Sequence, residues 1–211
     1  ALKRQMAEGT YTPDDPNIIP IKEDKRYRAS KPITIPHNQA VIIYMMDVSG
    51  SMGFHEKEMA RLTSFWIDLY LRSQYKNIRS RYIIHNVSAK EVDQHTFYHT
   101  METGGTRIAS AYELARDIIK ADYPVSDWNT YLYHYSDGDD WGRDMSNQAC
   151  DIMQELLSQV NQISYVQVRE TGDFMKVVKK RFADENKVAI TTAFKKEQIL
   201  DAIKSLFIVG N

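Results

Sequence analysis

Three short segments of the chain carry oxygen-bearing side chains at spacings that suit a hard cation. The first is Asp47-Val48-Ser49-Gly50-Ser51, the second ends on Thr106 in Thr103-Gly104-Gly105-Thr106, and the third is Ser136-Asp137-Gly138-Asp139-Asp140. Taken singly, each has an ordinary structural reading. Asp and Ser favour helix N-caps, and Gly-Gly-Thr and Ser-Asp-Gly are common turn sequences. Taken together, Asp47, Ser49, Ser51, Thr106 and Asp137 supply two carboxylates and three hydroxyls, an all-oxygen set. Such a set suits Mg²⁺, Mn²⁺ or Ca²⁺ and disfavours zinc or copper, which prefer nitrogen and sulfur. The alternation of Asp47, Ser49 and Ser51 lets one loop point all three side chains the same way.

For the five residues to meet, each segment must lie at the carboxyl end of a strand in one sheet, and the hydropathy pattern places them there. Val41–Met46 is a continuous apolar run, expected of a central strand buried on both faces. Glu56–Arg72 reads as a helix with Met59, Leu62, Trp66 and Leu69 on its inward stripe. A strand is expected over Arg81–Val87, and a short strand with one helical turn between Glu91 and Met101. Then follow a helix over Arg107–Ala121, a strand over Thr130–Tyr135, a helix over Met145–Leu157 and a strand over Ile163–Val168. A helix over Asp173–Phe182, a strand over Val188–Thr192 and a helix over Lys196–Phe207 complete the pattern, the last with Ile199, Leu200, Ile203, Leu206 and Phe207 inward. Strands alternating with helices predict an α/β fold, a doubly wound and mostly parallel sheet with helices on both faces. In such sheets ligands bind beyond the carboxyl ends of the strands, where the strand order reverses.

Residues 1–38 hold five of the six prolines and no amphipathic period, so they are expected to form an extended arm or linker, ordered at most around Asn17–Ile21 and Ile33–Ile35. Residues 39–211 form the domain proper. Lys and Arg number 27 against 28 Asp and Glu, so no global field draws in nucleic acid or an acidic membrane. Cys150 is the single cysteine, which rules out an intrachain disulfide and reads as a small core residue. With no secretory signal and no apolar run of about 20 residues, a cytoplasmic setting is expected.

The Asp-x-Ser-x-Ser, Thr and Asp-Gly set, in this order, resembles the metal-ion-dependent adhesion site (MIDAS) of von Willebrand factor A-type domains. The resemblance spans residues 40 to about 207 and implies a Rossmann-like fold of six strands, with one short antiparallel edge strand supplied by the stretch around Glu91–Val92. Met46–Met52, Val87–Phe97, Gly104–Ile108 and Tyr135–Asp140 are further similar to the bacterial YeaH/YhbH proteins. That resemblance implies an association with PrkA-type serine kinases and with stress or sporulation. The expected function is therefore a non-enzymatic, metal-dependent grip on a protein partner, in which the cation accepts an Asp or Glu carboxylate. The alternative is a Mg²⁺-dependent phosphohydrolase-like enzyme. Against it, Ser49 stands where such a phosphatase would place a second Asp as general acid, and neither a G-x-S-x-G elbow nor a P-loop is present. His95 and His99 have the spacing of a helical zinc pair but lack the intervening Glu of the metalloprotease motif. Asp139, Asp140 and Trp141 could form a selective rim or a solvated turn, and Arg107 could steer an acidic ligand or decorate a helix start. Removing Asp47 or Asp137 is expected to relieve like-charge repulsion, so that the metal-free domain holds or gains stability.

Overall fold

The computed structural model describes residues 1–14, 17–18, 39–100, 102–140 and 143–208. The chain divides into two units, Ala1–Ile35 and Pro36–Asn211. In the first, Leu2–Ala7 forms a short helix, α1, where extended chain is expected. The prolines of this region begin only at Pro13, and Leu, Lys, Arg, Gln, Met and Ala are all good helix formers. An Arg4–Glu8 pair at 2.7 Å supports the turn, and Gly9, at φ +67°, ends it. Asn17 and Ile18 have no regular structure. The rest of Asn17–Ile21, and all of Ile33–Ile35, lie outside the described residues.

The second unit is a six-stranded sheet flanked by helices. In chain order it runs β1 (Gln39–Asp47), α2 (Phe54–Gln74), β2 (Asn77–His85), β3 (Ala89–Val92), α3 (Gln94–His99), α4 (Ile108–Asp122) and β4 (Asn129–Ser136). It continues with α5 (Arg143–Leu156), β5 (Gln162–Gln167), α6 (Asp173–Arg181), β6 (Val188–Thr192), a 3₁₀ turn at Lys196–Gln198 and α7 (Ile199–Ile208). The strand order is β3-β2-β1-β4-β5-β6. Every pairing is parallel except β2 with β3, which makes β3 the short antiparallel edge strand. The order reverses between β1 and β4, so a crevice opens at the carboxyl ends of those two strands.

Strand alternation divides the core in two. Val41, Ile43 and Met45 face α4, α5 and α6, together with Ile108, Tyr112, Met153 and Phe174. Ile42, Tyr44 and Met46 face α2, α3 and α7, with Met59, Ile67, Phe97 and Leu206. Burial on both faces explains why β1 reads as an unbroken apolar run. Two inward stripes differ from expectation. On α2 the buried face is Lys57, Met59, Ala60, Thr63, Ser64, Ile67 and Leu71. Trp66, Leu69 and, on α7, Leu200 are instead half or more exposed, and with Leu62, Tyr70 and Ile199 they line an open apolar groove between the two helices. Among the described residues, no helix is long and apolar enough to cross a membrane.

Candidate functional site

The crevice between β1 and β4 receives the three loops singled out above. Asp47 is the last residue of β1 and is fully buried. Its Oδ1 accepts the Ser49 backbone N–H at 2.8 Å, and its Oδ2 accepts the Ser136 hydroxyl at 2.8 Å. The loop beyond it is tied to β2 by Val48 N–H donating to the His85 carbonyl at 2.9 Å, and it closes on itself where Met52 N–H donates to the Ser49 carbonyl. Ser49 and Ser51 lie on the same side of this loop, with their hydroxyl oxygens 3.2 Å apart.

The second loop is held by its backbone. Gly50 N–H donates to the Gly104 carbonyl at 2.8 Å, and Arg107 N–H donates to the Asn86 carbonyl at 2.8 Å. A Cβ on Gly50 would stand 3.4 Å from that Gly104 oxygen, so a larger residue there presses on the joint. Thr106 is buried in this loop at the start of α4. Its place next to the first loop is fixed by these main-chain bonds.

The third loop leaves β4. The Ser136 hydroxyl donates to Asp47 and accepts Gly138 N–H at 3.0 Å, linking the two strand ends. Asp137 is fully buried, and its Oδ1 accepts Asp139 N–H at 3.1 Å. Its Oδ2 is buried and receives no hydrogen bond. Burial raises the Asp137 pKa above the usual Asp value, and the Asp47 charge adds to the rise; the nearby Ser51 hydroxyl, the Asp139 N–H and Arg169 pull it down. Gly138 turns at φ +83°, and a Cβ there would stand 2.9 Å from Gln167 Oε1 and 3.1 Å from both Gly172 Cα and the Tyr165 hydroxyl. Only glycine fits that turn without strain.

Asp47, Ser49, Ser51 and Asp137 are thus joined through contacts or charge, with Thr106 in the adjoining loop. The arrangement offers two buried carboxylates and a hydroxyl pair, an oxygen-only environment for a hard cation. Behind the site, His85 and His134 share an Nε2···Nε2 contact of 2.8 Å, and His134 Nδ1 meets the Tyr112 hydroxyl at 3.1 Å. Burial lowers both histidine pKa values, so the pair is neutral around pH 7.

The secondary candidates take structural parts. His95 and His99 stack, with ring centroids 4.2 Å apart, and His99 Nδ1 contacts the His95 carbonyl. Among the described residues, no cluster of three or more His, Cys, Asp or Glu side chains is placed to join them on a metal. Asp140 accepts Ile108 N–H at the start of α4 at 3.4 Å and the Ser146 hydroxyl on α5 at 3.2 Å. Arg107 pairs with Glu113 on α4. Trp141 lies outside the described residues. Cys150 is buried and its thiol pKa is pushed up to about 11, which makes it a core residue and a poor nucleophile.

Two participants escape a reading of the sequence. Ser136 looks like part of a turn, yet its hydroxyl bridges Asp47 and Gly138. Arg169 lies two residues beyond β5, and its guanidinium stands 3.1 Å from Asp137 Oδ2. The available signal was position: Arg169 is the first charged residue after a buried strand, at the same sheet edge as Asp137.

A family model described as "Protein of unknown function (DUF444)" matches residues 4–209. The chain belongs to this family. A UPF0229 protein from Shewanella oneidensis is 39% identical over 145 residues, covering 69% of the chain and 34% of that relative. Another from Ruminiclostridium cellulolyticum is 36% identical over 190 residues, covering 88% of the chain and 48% of that relative. The chain therefore spans about a third to a half of the length of these relatives. Among solved structures, the SpRpn10 VWA domain superposes with a TM-score of 0.64 at 9% identity, over 80% of this chain and 96% of that one. Manganese-loaded Plasmodium vivax TRAP protein superposes with a TM-score of 0.59 at 11% identity, over 82% of this chain and 74% of that one. At such identities the likeness establishes the fold, and this DUF444 chain has the von Willebrand A-like fold.

Proposed function

We propose that the chain is a metal-dependent protein-binding domain of the MIDAS type, which holds Mg²⁺, or Mn²⁺ or Ca²⁺, and through it grips a carboxylate of a protein partner. Ser49, Ser51 and Thr106 would offer hydroxyl oxygens to the ion, while Asp47 and Asp137 supply negative charge directly or through water. The observation that carries the reading is Asp137 Oδ2. It is a buried carboxylate oxygen that no hydrogen bond reaches, held only by an ion contact with Arg169 at 3.1 Å, beside a hydroxyl pair and at the point where the strand order reverses. Arg169 also pairs with Asp139 and lies near Glu56, so one guanidinium leaves negative charge in excess at the crevice, and a buried anionic oxygen there is stabilised by a further cation. The manganese carried by the Plasmodium vivax TRAP structure shows that another protein of this fold takes such an ion.

A bound dication would supply electrophilic attraction for an Asp or Glu of the partner. The chain's own residues set the conditions for that attraction. Hydroxyl ligands leave the ion's charge less neutralised than carboxylates would. Asp47, engaged by Ser49 N–H and Ser136, is held in one orientation. The proposal includes no chemical turnover, because Ser49 cannot act as a general acid near neutral pH and the Ser136 hydroxyl is committed to Asp47. The setting is cytoplasmic, and by the YeaH/YhbH resemblance a PrkA-type serine kinase is the first partner to try.

The test is a pull-down with the kinase as prey in Mg²⁺, in EDTA, and with Ser49→Ala plus Ser51→Ala. Capture only in Mg²⁺ with the unaltered chain supports the reading; capture unchanged in EDTA refutes it. Steady release of phosphate from a small phosphate ester in Mg²⁺, abolished by Asp47→Asn, would favour the phosphohydrolase alternative instead.

A further inference from the structure

The positive charge nearest Asp137 Oδ2 belongs to a side chain. Arg169 Nη1 stands 3.1 Å from that oxygen and 3.2 Å from Asp139 Oδ2. Its Nη2 donates to the Ser51 carbonyl, and its Nε lies 3.7 Å from Glu56 Oε1. One guanidinium therefore touches the first loop, the third loop and the opening turn of α2. Its backbone is anchored by Gln167 Nε2 donating to the Arg169 carbonyl at 2.9 Å, and by Val168 N–H donating to the Ser136 carbonyl at 3.0 Å. The Nη1–Oδ2 approach is an ion contact and not a directed hydrogen bond, since Oδ2 receives none.

We infer that Arg169 is a tethered counter-cation, which occupies the Asp137 side of the pocket and competes with the divalent ion for it. The inference rests on the metal-binding reading above. A guanidinium keeps its charge at any working pH, so it cannot make room by losing a proton and must move. The structure supplies somewhere to move. Asp139 and Glu56 already flank the guanidinium, and Asp139 is 59% exposed, so leaving Asp137 strands no charge. While it stays, a dication on Asp137 is repelled by a unit charge only a few ångströms away. With Coulomb's law at a dielectric suited to a partly exposed site, that repulsion is worth at least about tenfold in Kd. A plain structural staple would have a different signature, because it would hold the loops equally with or without metal and would not oppose the ion.

The test is calorimetric titration of the whole chain with MnCl₂ and with MgCl₂, comparing the unaltered protein, Arg169→Gln and Arg169→Lys. The expected result is about tenfold tighter Mn²⁺ binding by Arg169→Gln, with Arg169→Lys close to the unaltered protein because it keeps the charge. Melting in EDTA and in saturating Mn²⁺ provides a second readout: Arg169→Gln should melt lower in EDTA, and the gap should close or reverse with metal. If Arg169→Gln folds poorly, Arg169→Met keeps the aliphatic stem and is titrated instead. Equal or weaker binding by the neutral variant, when the unaltered protein binds, overturns the role of Arg169 and leaves the metal site standing. A gap that metal does not narrow also overturns it. Should neither protein take up metal at millimolar concentration, the metal reading falls and this inference falls with it.

Discussion

Asp47→Ala in the metal-free protein sets two effects of opposite sign against each other. Taken from the sequence alone, the substitution removes one of two neighbouring carboxylates and should leave stability unchanged or higher. The hydrogen bonds at Asp47 argue for the opposite sign. Asp47 accepts two hydrogen bonds of 2.8 Å, from Ser49 N–H and the Ser136 hydroxyl. Ser49 is 1% exposed and Ser136 is fully buried, so water cannot replace the lost acceptor without opening the strand ends. A buried donor left unpaired costs about 1–3 kcal/mol, and two such donors about 2–6 kcal/mol. Relief of repulsion from Asp137 is on the order of 1 kcal/mol, since that charge is already faced by Arg169 at 3.1 Å. A net loss of about 3 kcal/mol is expected. Asp47→Asn keeps an acceptor for Ser49 N–H and should lose about half as much. Urea unfolding in EDTA, followed by tryptophan fluorescence and far-ultraviolet circular dichroism, measures both. An Asp47→Ala protein as stable as the unaltered chain, or more so, would show that repulsion outweighs the hydrogen bonds and would refute the reasoning.

Asp137→Asn should behave in the opposite way, holding or gaining stability in EDTA, because relief of a buried charge outweighs the 3.1 Å ion contact with Arg169, which keeps Asp139 and Glu56 as partners. Burial raises the Asp137 pKa in the fold. Its ionisation therefore opposes folding fully above the folded pKa and ceases to do so below the unfolded one, so the benefit of Asn should be largest at neutral pH and vanish near pH 3 in urea titrations. The His85–His134 pair has the reverse sign. Its folded pKa values are lowered by burial, so its stabilisation is present above the ordinary histidine value of about 6.5 and is lost as pH falls below it. Unfolding free energy should decline from pH 7 to 5, and His85→Gln should flatten that slope. On α2, Trp66→Ser should change stability by less than about 1 kcal/mol and Ile67→Ala should cost about 2–5 kcal/mol. The opposite ranking in thermal melts would restore the stripe expected from sequence.

The fold was legible because its strongest signals are local. β1 is apolar throughout, β6 spans Val188–Thr192 as its composition suggests, and strands alternate with helices along the chain. What misled was a choice between two neighbouring stripes on α2. Leu62, Trp66 and Leu69 are larger than Ala60, Thr63 and Ser64, yet the smaller set faces the sheet. The helix can bury those hydroxyls because Thr63 donates to the Met59 carbonyl at 2.8 Å and Ser64 to the Arg61 carbonyl at 2.9 Å. Side chains that bond back to their own helix need no outside partner, so polarity was a poor guide to burial here. The start of β2 was missed for a related reason. Asn77–Ser80 carries only one apolar residue, and it is a strand because its backbone pairs with Gln39–Ile42.

At the candidate site, the legible residues are those whose meaning depends on spacing within one loop, while the missed ones act across the chain. Ser136 meets Asp47 from 89 residues away, and Arg169 meets Ser51 from 118. A single sequence holds no trace of such pairs. The distinction governs how the site can be probed. Asp47 is both a candidate ligand and a strut between β1 and β4, so its removal confounds binding with folding. Ser49 and Ser51 are different, because their hydroxyls approach each other at 3.2 Å. Deleting one of them strands the other, whereas deleting both removes donor and acceptor together, and the further loss of the Ser51 hydroxyl beside Asp137 falls at a partly exposed position, so the cost in stability is small. The double alanine variant is therefore the one in which lost metal binding, measured beside an unchanged melting temperature in EDTA, can be read as loss of ligands alone.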